Sequence, residues 1–415
     1  MKLYTLLFSL CFLSLYSQKI DIGNHFIKTL FVDKNAEKAH SYFDPSIAKQ
    51  IPVAQLKAIT EQLQGQIGSF KTVLQINNAG NICYYYSEFE KTKLDIQLTF
   101  GENNKIFGFF LVPHKQFEKW DEKTILKIKS DDLELNGTLL LPTSNDQKKL
   151  VIFVHGSGAH DRDETVGENK PFKDIAEYLL NNGISSYRYD KRTYSYPQVF
   201  NEKSTVEEET VNDAVNVAQY FKNNAAYKGY HIIILGHSQG AYMMPEIADK
   251  AKVSKYVYMA GNARPLQDLL VEQYDYLHSI DPAKVPAEAV ESIKKQVVFL
   301  NSSQFNLNSP ASDLPLGQSA AYWKYVKDYN PLNEVKKIKA PMFFAQGGRD
   351  YQVTEKDFNL WKETLKNDKT VVFKLYPSLS HLFIAGSGKP SPKDYETKGK
   401  VDEPFLKDLV QFILK

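Results

Sequence analysis

His231-Ile232-Ile233-Ile234-Leu235-Gly236-His237-Ser238-Gln239-Gly240 decides how the rest of the chain is read. An unbroken run of β-branched and apolar residues marks a strand buried on both faces, the usual condition of a parallel sheet. The next segment, Ala241 to Ala248, reads as a helix, so Ser238 falls on the turn between strand and helix. Gly-x-Ser-x-Gly at such a turn presents a serine hydroxyl at the carboxyl edge of a sheet, and Gly236 and Gly240 let helix and strand approach closely. The pattern points to a serine nucleophile, against the plainer reading of an ordinary strand-to-helix turn.

Working outward, residues from about 120 to 415 alternate between strand and helix patterns. Strands are expected at 124–129, 133–141, 150–155, 184–189, 231–236, 254–259, 341–345 and 371–376, with helices near 172–182, 205–223, 240–250, 355–366 and 403–414. That order describes an α/β fold with a doubly wound, mostly parallel, eight-stranded sheet. Its first two strands should form an antiparallel lead-in joined at Asn136-Gly137 or a close neighbour, with the parallel core starting at Leu150. Asn182-Gly183 is expected to close one helix and Thr354 to cap the one starting at Glu355. Residues 263–335 interrupt the alternation with three expected helices and a Pro/Ser/Asn-rich stretch, Asn306 to Pro315. An insertion there overhangs the strand carboxyl ends, where ligands bind in open α/β sheets, and is expected to be a helical cap.

Residues 20–115 differ: helical spacing comes first, then four short alternating segments separated by Asn77-Asn78-Ala79-Gly80 and Gly101-Glu102-Asn103-Asn104. This predicts a small α+β domain with an antiparallel meander. It resembles the cone-shaped or cystatin-like domains that precede some secreted hydrolases. Alternation sets Tyr85 opposite Tyr84 and Tyr86, which suits a partly buried strand better than a binding face.

The chain has 415 residues, with Lys+Arg 51 against Asp+Glu 49. Near-neutral charge without a basic tail excludes nucleic acid and anionic membrane surfaces as expected partners. Residues 1–17 pair Lys2 with an apolar stretch, Leu3 to Leu15, too short to span a bilayer and typical of a cleaved secretory signal, despite Leu15 where a smaller residue is usual. A secreted or periplasmic protein without an integral membrane anchor is expected. Cys11 lies in that segment, so Cys83 is left as the single cysteine and no intramolecular disulfide is expected.

A serine hydroxyl needs a histidine to take its proton and a carboxylate to orient that histidine. Phe343 to Asp350 is an apolar strand ending in a glycine turn that carries Asp350, and Phe373 to His381 is a strand followed by a loop that carries His381. The order Ser238, Asp350, His381 places all three after strands. His155 and His160 remain possible bases on sequence alone; His237 adjoins the serine and is read as a supporting residue. Asp328 and Asp357 do not end strands, and Ala260-Gly261-Asn262 after the sixth strand offers no carboxylate. Acyl transfer also requires backbone N–H groups facing a developing oxyanion. Gln239, after the nucleophile, should give one, and Ser157 in His155-Gly156-Ser157-Gly158 the other; the plainer reading of that glycine loop is flexibility.

With these segments in hand, the chain resembles the α/β-hydrolase superfamily over residues 120–415, in the secreted acyl-esterase and dienelactone-hydrolase-like branch related to prolyl-oligopeptidase-type peptidases. Similar stretches include Asp161-Arg162-Asp163-Glu164, Asn169-Lys170-Pro171-Phe172, Tyr187 to Arg192, and Tyr322-Trp323 before Asp328-Tyr329-Asn330-Pro331. The resemblance implies a serine esterase with Ser238, Asp350 and His381 as its triad. The cap aromatics are expected mostly to pack, with Tyr322 and Trp323 as substrate-binding candidates.

No Gly-x-Gly-x-x-Gly motif follows a strand and there is no phosphate loop, so no nucleotide cofactor is expected. No metal is expected either: His155, His160, Asp161 and Asp163 lack a second ligand set at recognisable spacing, and Asp161, Arg162, Asp190 and Arg192 suit an ion-pair network bracing loops. The reading is a carboxylic ester hydrolase acting on a small-molecule ester through an acyl-enzyme. A serine peptidase is the alternative; Glu207-Glu208-Glu209, the one acidic cluster of the kind that holds a substrate amino terminus, is expected on a solvent-facing helix. A non-catalytic binding module is disfavoured by the full set of nucleophile, base, acid and oxyanion loop.

Overall fold

A computed structural model describes residues 19–79, 81–101, 104–114 and 122–415. The signal segment expected at 1–17, and Gly80, Glu102 and Asn103 of the expected turns, lie outside the described residues. The chain divides into two compact units, Met1–Trp120 and Asp121–Lys415.

In the first unit, short helices including Ala36–His40, Pro45–Gln50 and Val53–Ile67 precede four strands: β1 (Phe70–Ala79), β2 (Ile82–Phe89), β3 (Lys93–Phe100) and β4 (Ile106–Val112). Their order is β1-β2-β3-β4, each pair antiparallel. Side chains at period two along β2 and β3, among them Cys83, Tyr85, Ile96 and Leu98, join Phe26 and Leu30 in one apolar core. Tyr85 is fully buried and its hydroxyl donates to the Ile20 carbonyl (3.1 Å), while Tyr86 is only half-buried.

The second unit holds β5 (Ile125–Ser130), β6 (Leu133–Leu140), β7 (Lys149–Val154), β8 (Ser185–Tyr189), β9 (His231–His237), β10 (Lys255–Met259), β11 (Met342–Gly347) and β12 (Val371–Tyr376). They form one sheet in the order β12-β11-β10-β9-β7-β8-β6-β5. Pairing is parallel from β8 to β12 and antiparallel where β6 meets β8 and β5. Burial on both faces is visible in β9 itself: Ile232 and Ile234 point into one apolar layer, Ile233 and Leu235 into the other. The first layer is closed by helices Asn212–Asn223, Met244–Ala251 and Glu355–Thr364, the second by Pro171–Asn181 and Glu403–Leu414.

Three local expectations are corrected. The β5–β6 hairpin turns at Asp131-Asp132, where Asp131 adopts φ 53°, and not at Asn136-Gly137. An aspartate tolerates the left-handed region, whereas Gly137 is mid-strand because the Tyr187 ring lies where a Cβ would stand. Thr354 occupies the N-cap position, but its hydroxyl makes no capping bond. The helix expected from 205 opens with a π-helical turn, Glu207–Val211, before continuing as Asn212–Asn223.

Between β10 and β11 lie helices Leu266–Ile280, Ala287–Asn301 and Ala320–Asp328, in the insertion expected at 263–335. Arg264 and the backbone N–H groups of Ala263 and Arg264 all bond the fully buried Asp357 carboxylate, which anchors the entry to this segment.

Candidate active site

At the end of β9 the chain reverses sharply. Ser238 has φ 51° and ψ −114°, a region that non-glycine residues occupy at a cost of about 1–3 kcal/mol. The strain is tolerable because the surroundings over-determine it: Ser238 N–H donates to the Met259 carbonyl (2.9 Å) on β10, and helix Gln239–Tyr242 starts immediately after. Gly240 is where that helix crosses β7; any Cβ there would overlap the Val154 carbonyl and sit 2.8 Å from the His155 carbonyl oxygen. A Cβ on Gly236 would lie 2.5 Å from the Gly240 carbonyl oxygen. Both glycines are thus dictated by close approach.

Asp350 and His381 arrive from the loops after β11 and β12 and meet. His381 Nδ1 donates to Asp350 Oδ2 at 2.6 Å, and both side chains are almost fully buried. The other carboxylate oxygen, Oδ1, accepts the N–H groups of Gln352 (2.8 Å) and Val353 (3.0 Å), which fixes the acid's orientation. Ser238 itself lies beside this pair through His237, whose ring is 4.5 Å from that of His381 and whose Nε2–H donates to the His381 carbonyl (2.9 Å). Neither Ser238 Oγ nor His381 Nε2 hydrogen-bonds another described residue.

His237 is a buried supporting residue with an oxygen close to each ring nitrogen. Beyond the His381 carbonyl, its Nδ1 faces Glu164 Oε2 at 2.8 Å. Burial is the largest single influence and disfavours both charges, but the surrounding charges and polar contacts together prevail: Glu164 is held at about 2 and His237 above its ordinary value. Glu164 Oε1 also accepts Gly156 N–H (2.7 Å), so this one carboxylate ties the loop after β7 to the serine turn.

That loop carries the expected second oxyanion donor. Gly156 N–H is taken by Glu164 and Gly158 N–H by Glu209 Oε1 (3.2 Å), whereas Ser157 N–H has no partner among the described residues. Gly156 packs against the serine, with an added Cβ only 3.2 Å from Ser238 Cβ. Gln239 heads its helix, so its N–H lacks an intrahelical acceptor. Ser157, Ser238 and Gln239 line one cavity of about 1540 Å³ together with Leu266, Leu269, Leu270 and Val326 of the insertion and Asn201, Ser204 and Gln318.

Of the two expected substrate-binding aromatics, only Tyr322 lines this cavity, and its hydroxyl accepts from Gln239 Nε2 (3.1 Å). Trp323 is fully buried, its ring at 5.6 Å in edge contact with that of Tyr322 and its Nε1–H donating to the Pro315 carbonyl (3.0 Å); it packs the segment down and does not line this cavity. Glu209 is a further correction: it is buried, and Lys191 Nζ lies 2.6 Å from it. The π turn rotates Glu209, Thr210 and Val211 inward, while Glu207 pairs with Lys250 and Glu208 caps Thr205.

The other charged residues hold the frame. Arg162 forms a two-pronged pair with Asp190, Arg188 pairs with Asp163, and Arg192 with Asp213 and Asp131. Asp357 anchors the insertion and Asp328 pairs with Lys324 at the surface, while the carboxylate paired with His381 is that of Asp350. His160 Nε2–H donates to the Ser157 carbonyl (2.8 Å), and His155 Nε2–H to the Asp161 carbonyl (3.1 Å).

Burial pushes His155 down to about 3. The unfolded chain takes up this proton near 6.5 and the folded chain only near 3, so stability is lost as pH falls through that window, by at most about 1.4 kcal/mol per pH unit. Urea midpoints from pH 7 to 4 should fall less steeply for His155→Gln, which keeps an N–H for Asp161, than for the wild type; parallel slopes would exclude His155 as the source.

The chain is similar to several known proteins. Residues 305–412 match the dienelactone hydrolase family, and residues 25–109 match DUF3887, a protein of unknown function. Esterase EstD of Thermotoga maritima is 31% identical over 391 residues, 92% of this chain and 92% of EstD. The chain belongs to the EstD family of esterases. Among solved structures, the Pyrococcus furiosus esterase Pf2001 matches at 16% identity over 72% of this chain and 96% of its own, TM-score 0.46. Est1E from Butyrivibrio proteoclasticus matches at 16% identity over 70% and 96%, TM-score 0.45. Membership of that family makes the chain a carboxylic ester hydrolase, here built on an eight-stranded, mostly parallel sheet. Among its described residues no helix is long and apolar enough to cross a membrane.

Proposed function

We propose that this esterase cleaves its substrate through an acyl-enzyme on Ser238, with His381 as general base and then general acid and Asp350 as the orienting carboxylate. The observation that carries the reading is the 2.6 Å hydrogen bond from His381 Nδ1 to Asp350 Oδ2, which leaves Nε2 as the nitrogen to accept the serine proton. The strained turn supports it, because it holds the Ser238 hydroxyl at the cavity without a competing hydrogen bond. The Ser238–His381 bond is expected to close when substrate fills the site, as is common in enzymes of this mechanism. Gln239 N–H and Ser157 N–H then receive the oxyanion.

The cavity, at about 1540 Å³, exceeds the roughly 300–1,000 Å³ of common small-molecule sites and suits an ester larger than short test substrates. Its aliphatic wall from the insertion and its polar side from Asn201, Ser204 and Gln318 favour an ester with one apolar and one hydroxyl-rich part. The apolar segment at residues 1–17 supports action outside the cytoplasm, secreted or periplasmic. A fluorophosphonate probe tests the mechanism directly: it should add to Ser238, located by peptide mass spectrometry, and abolish p-nitrophenyl acetate hydrolysis. Covalent labelling elsewhere with activity retained would refute it.

A further inference from the structure

Lys191 is 2% exposed, in the loop after β8, and its ammonium donates to three acceptors: the Gly156 carbonyl (2.7 Å), Glu209 Oε1 (2.6 Å) and Gln239 Oε1 (3.2 Å). Lysine is rarely buried, and keeping it charged there requires a partner, which Glu209 supplies. What distinguishes this pair from the ion pairs of the frame is where its remaining bonds end.

The Gly156 carbonyl and the Ser157 N–H belong to one planar trans peptide unit, so they point in opposite directions. A cation holding the carbonyl therefore fixes the direction of that N–H and strengthens it as a donor, because hydrogen bonds in a chain polarise one another. Glu209 secures the same loop one residue on, at Gly158 N–H. On the other side of the cavity, Gln239 Oε1 accepts from Lys191 and Thr210 (3.0 Å) and its amide donates to Tyr322, so the residue carrying the second N–H cannot swing. We infer that the Lys191–Glu209 pair is a positioning element that sets both oxyanion donors, Ser157 N–H and Gln239 N–H, from a lysine that stands behind the cavity lining. The inference rests on the proposed role of Ser238.

The step it serves balances simply. Ser238 Oγ bonds to the ester carbonyl carbon as its proton passes to His381 Nε2, the carbonyl π pair moves to oxygen, and the two N–H groups stabilise that oxyanion until the alkoxide leaves with the proton.

The test uses the full chain and three readouts: p-nitrophenyl acetate turnover, inhibition by an aryl trifluoromethyl ketone, which forms an oxyanion adduct with a nucleophilic serine, and inhibition by the matching methyl ketone, which binds without one. Lys191→Met should lower kcat/KM and trifluoromethyl ketone affinity together by about 100-fold, the scale of losing one oxyanion donor, with methyl ketone affinity unchanged. Because Lys191→Met strands a buried carboxylate, the double variant Lys191→Met/Glu209→Gln is measured beside it; it removes both charges and keeps an acceptor for Gly158 N–H. A folded double variant within twofold of wild type on both measures would overturn the inference, as would equal losses for the two ketones, which signify general damage. Failure of the parent reading looks different: the wild type would resist the trifluoromethyl ketone and Ser238 would stay unlabelled.

Discussion

Ser238→Ala should lower kcat for p-nitrophenyl acetate by about 10⁴- to 10⁶-fold, the range seen when a serine nucleophile is deleted, while stability stays level or rises. The reason lies in the geometry of the turn. Its φ of 51° is imposed by the Met259 carbonyl, the β7 crossing at Gly240 and the start of helix Gln239–Tyr242, none of which depends on the hydroxyl. Removing Oγ therefore deletes chemistry without relaxing the frame, and the residual rate over buffer would come from the cavity and the oxyanion donors. Activity within tenfold of wild type in a protein free of contaminating esterase would mean that the bond-forming atom lies elsewhere.

Asp350→Asn should cost about 10³- to 10⁴-fold in kcat, with the fold retained. The new side chain still accepts the N–H groups of Gln352 and Val353 through its oxygen, so the turn after β11 survives. Its amide, however, presents a donor where His381 Nδ1 needs an acceptor. The imidazole then carries its proton on Nε2 and cannot take another from Ser238. Steady-state rates across pH 6 to 10 check this: recovery at high pH is expected to be partial, and a variant indistinguishable from wild type throughout would remove Asp350 from the reaction.

How far the sequence led depended on whether a property was periodic. Strands β7 and β9 are legible because two-sided burial leaves an uninterrupted apolar run, and the Gly-x-Ser-x-Gly turn because two steric contacts admit nothing larger than hydrogen. Residues joined only by tertiary contact were hidden. Glu209 reads as a solvated charge beside Glu207 and Glu208; a π turn, which breaks the 3.6-residue rule, carries it inward to Lys191. Glu164 belongs to a charged run whose members point to four different partners, and nothing in their spacing reveals that one of them holds His237. Tyr322 and Trp323 illustrate the limit of composition: of two adjacent aromatics whose rings touch, one reaches the cavity and the other lies wholly in the core. Asn136-Gly137 shows the same for turns, since a favourable dipeptide yielded to the packing of Tyr187.

The insertion between β10 and β11 supplies the aliphatic wall of the cavity but none of the groups assigned to bond making, which follow β7, β9, β11 and β12. Choice of substrate and rate of turnover are thereby placed on separable pieces of polypeptide. Such modularity lets a lineage explore new esters by rewriting residues 263–335 while inheriting its reaction centre intact, provided that the grafted sequence keeps a hydroxyl where Tyr322 now steadies Gln239.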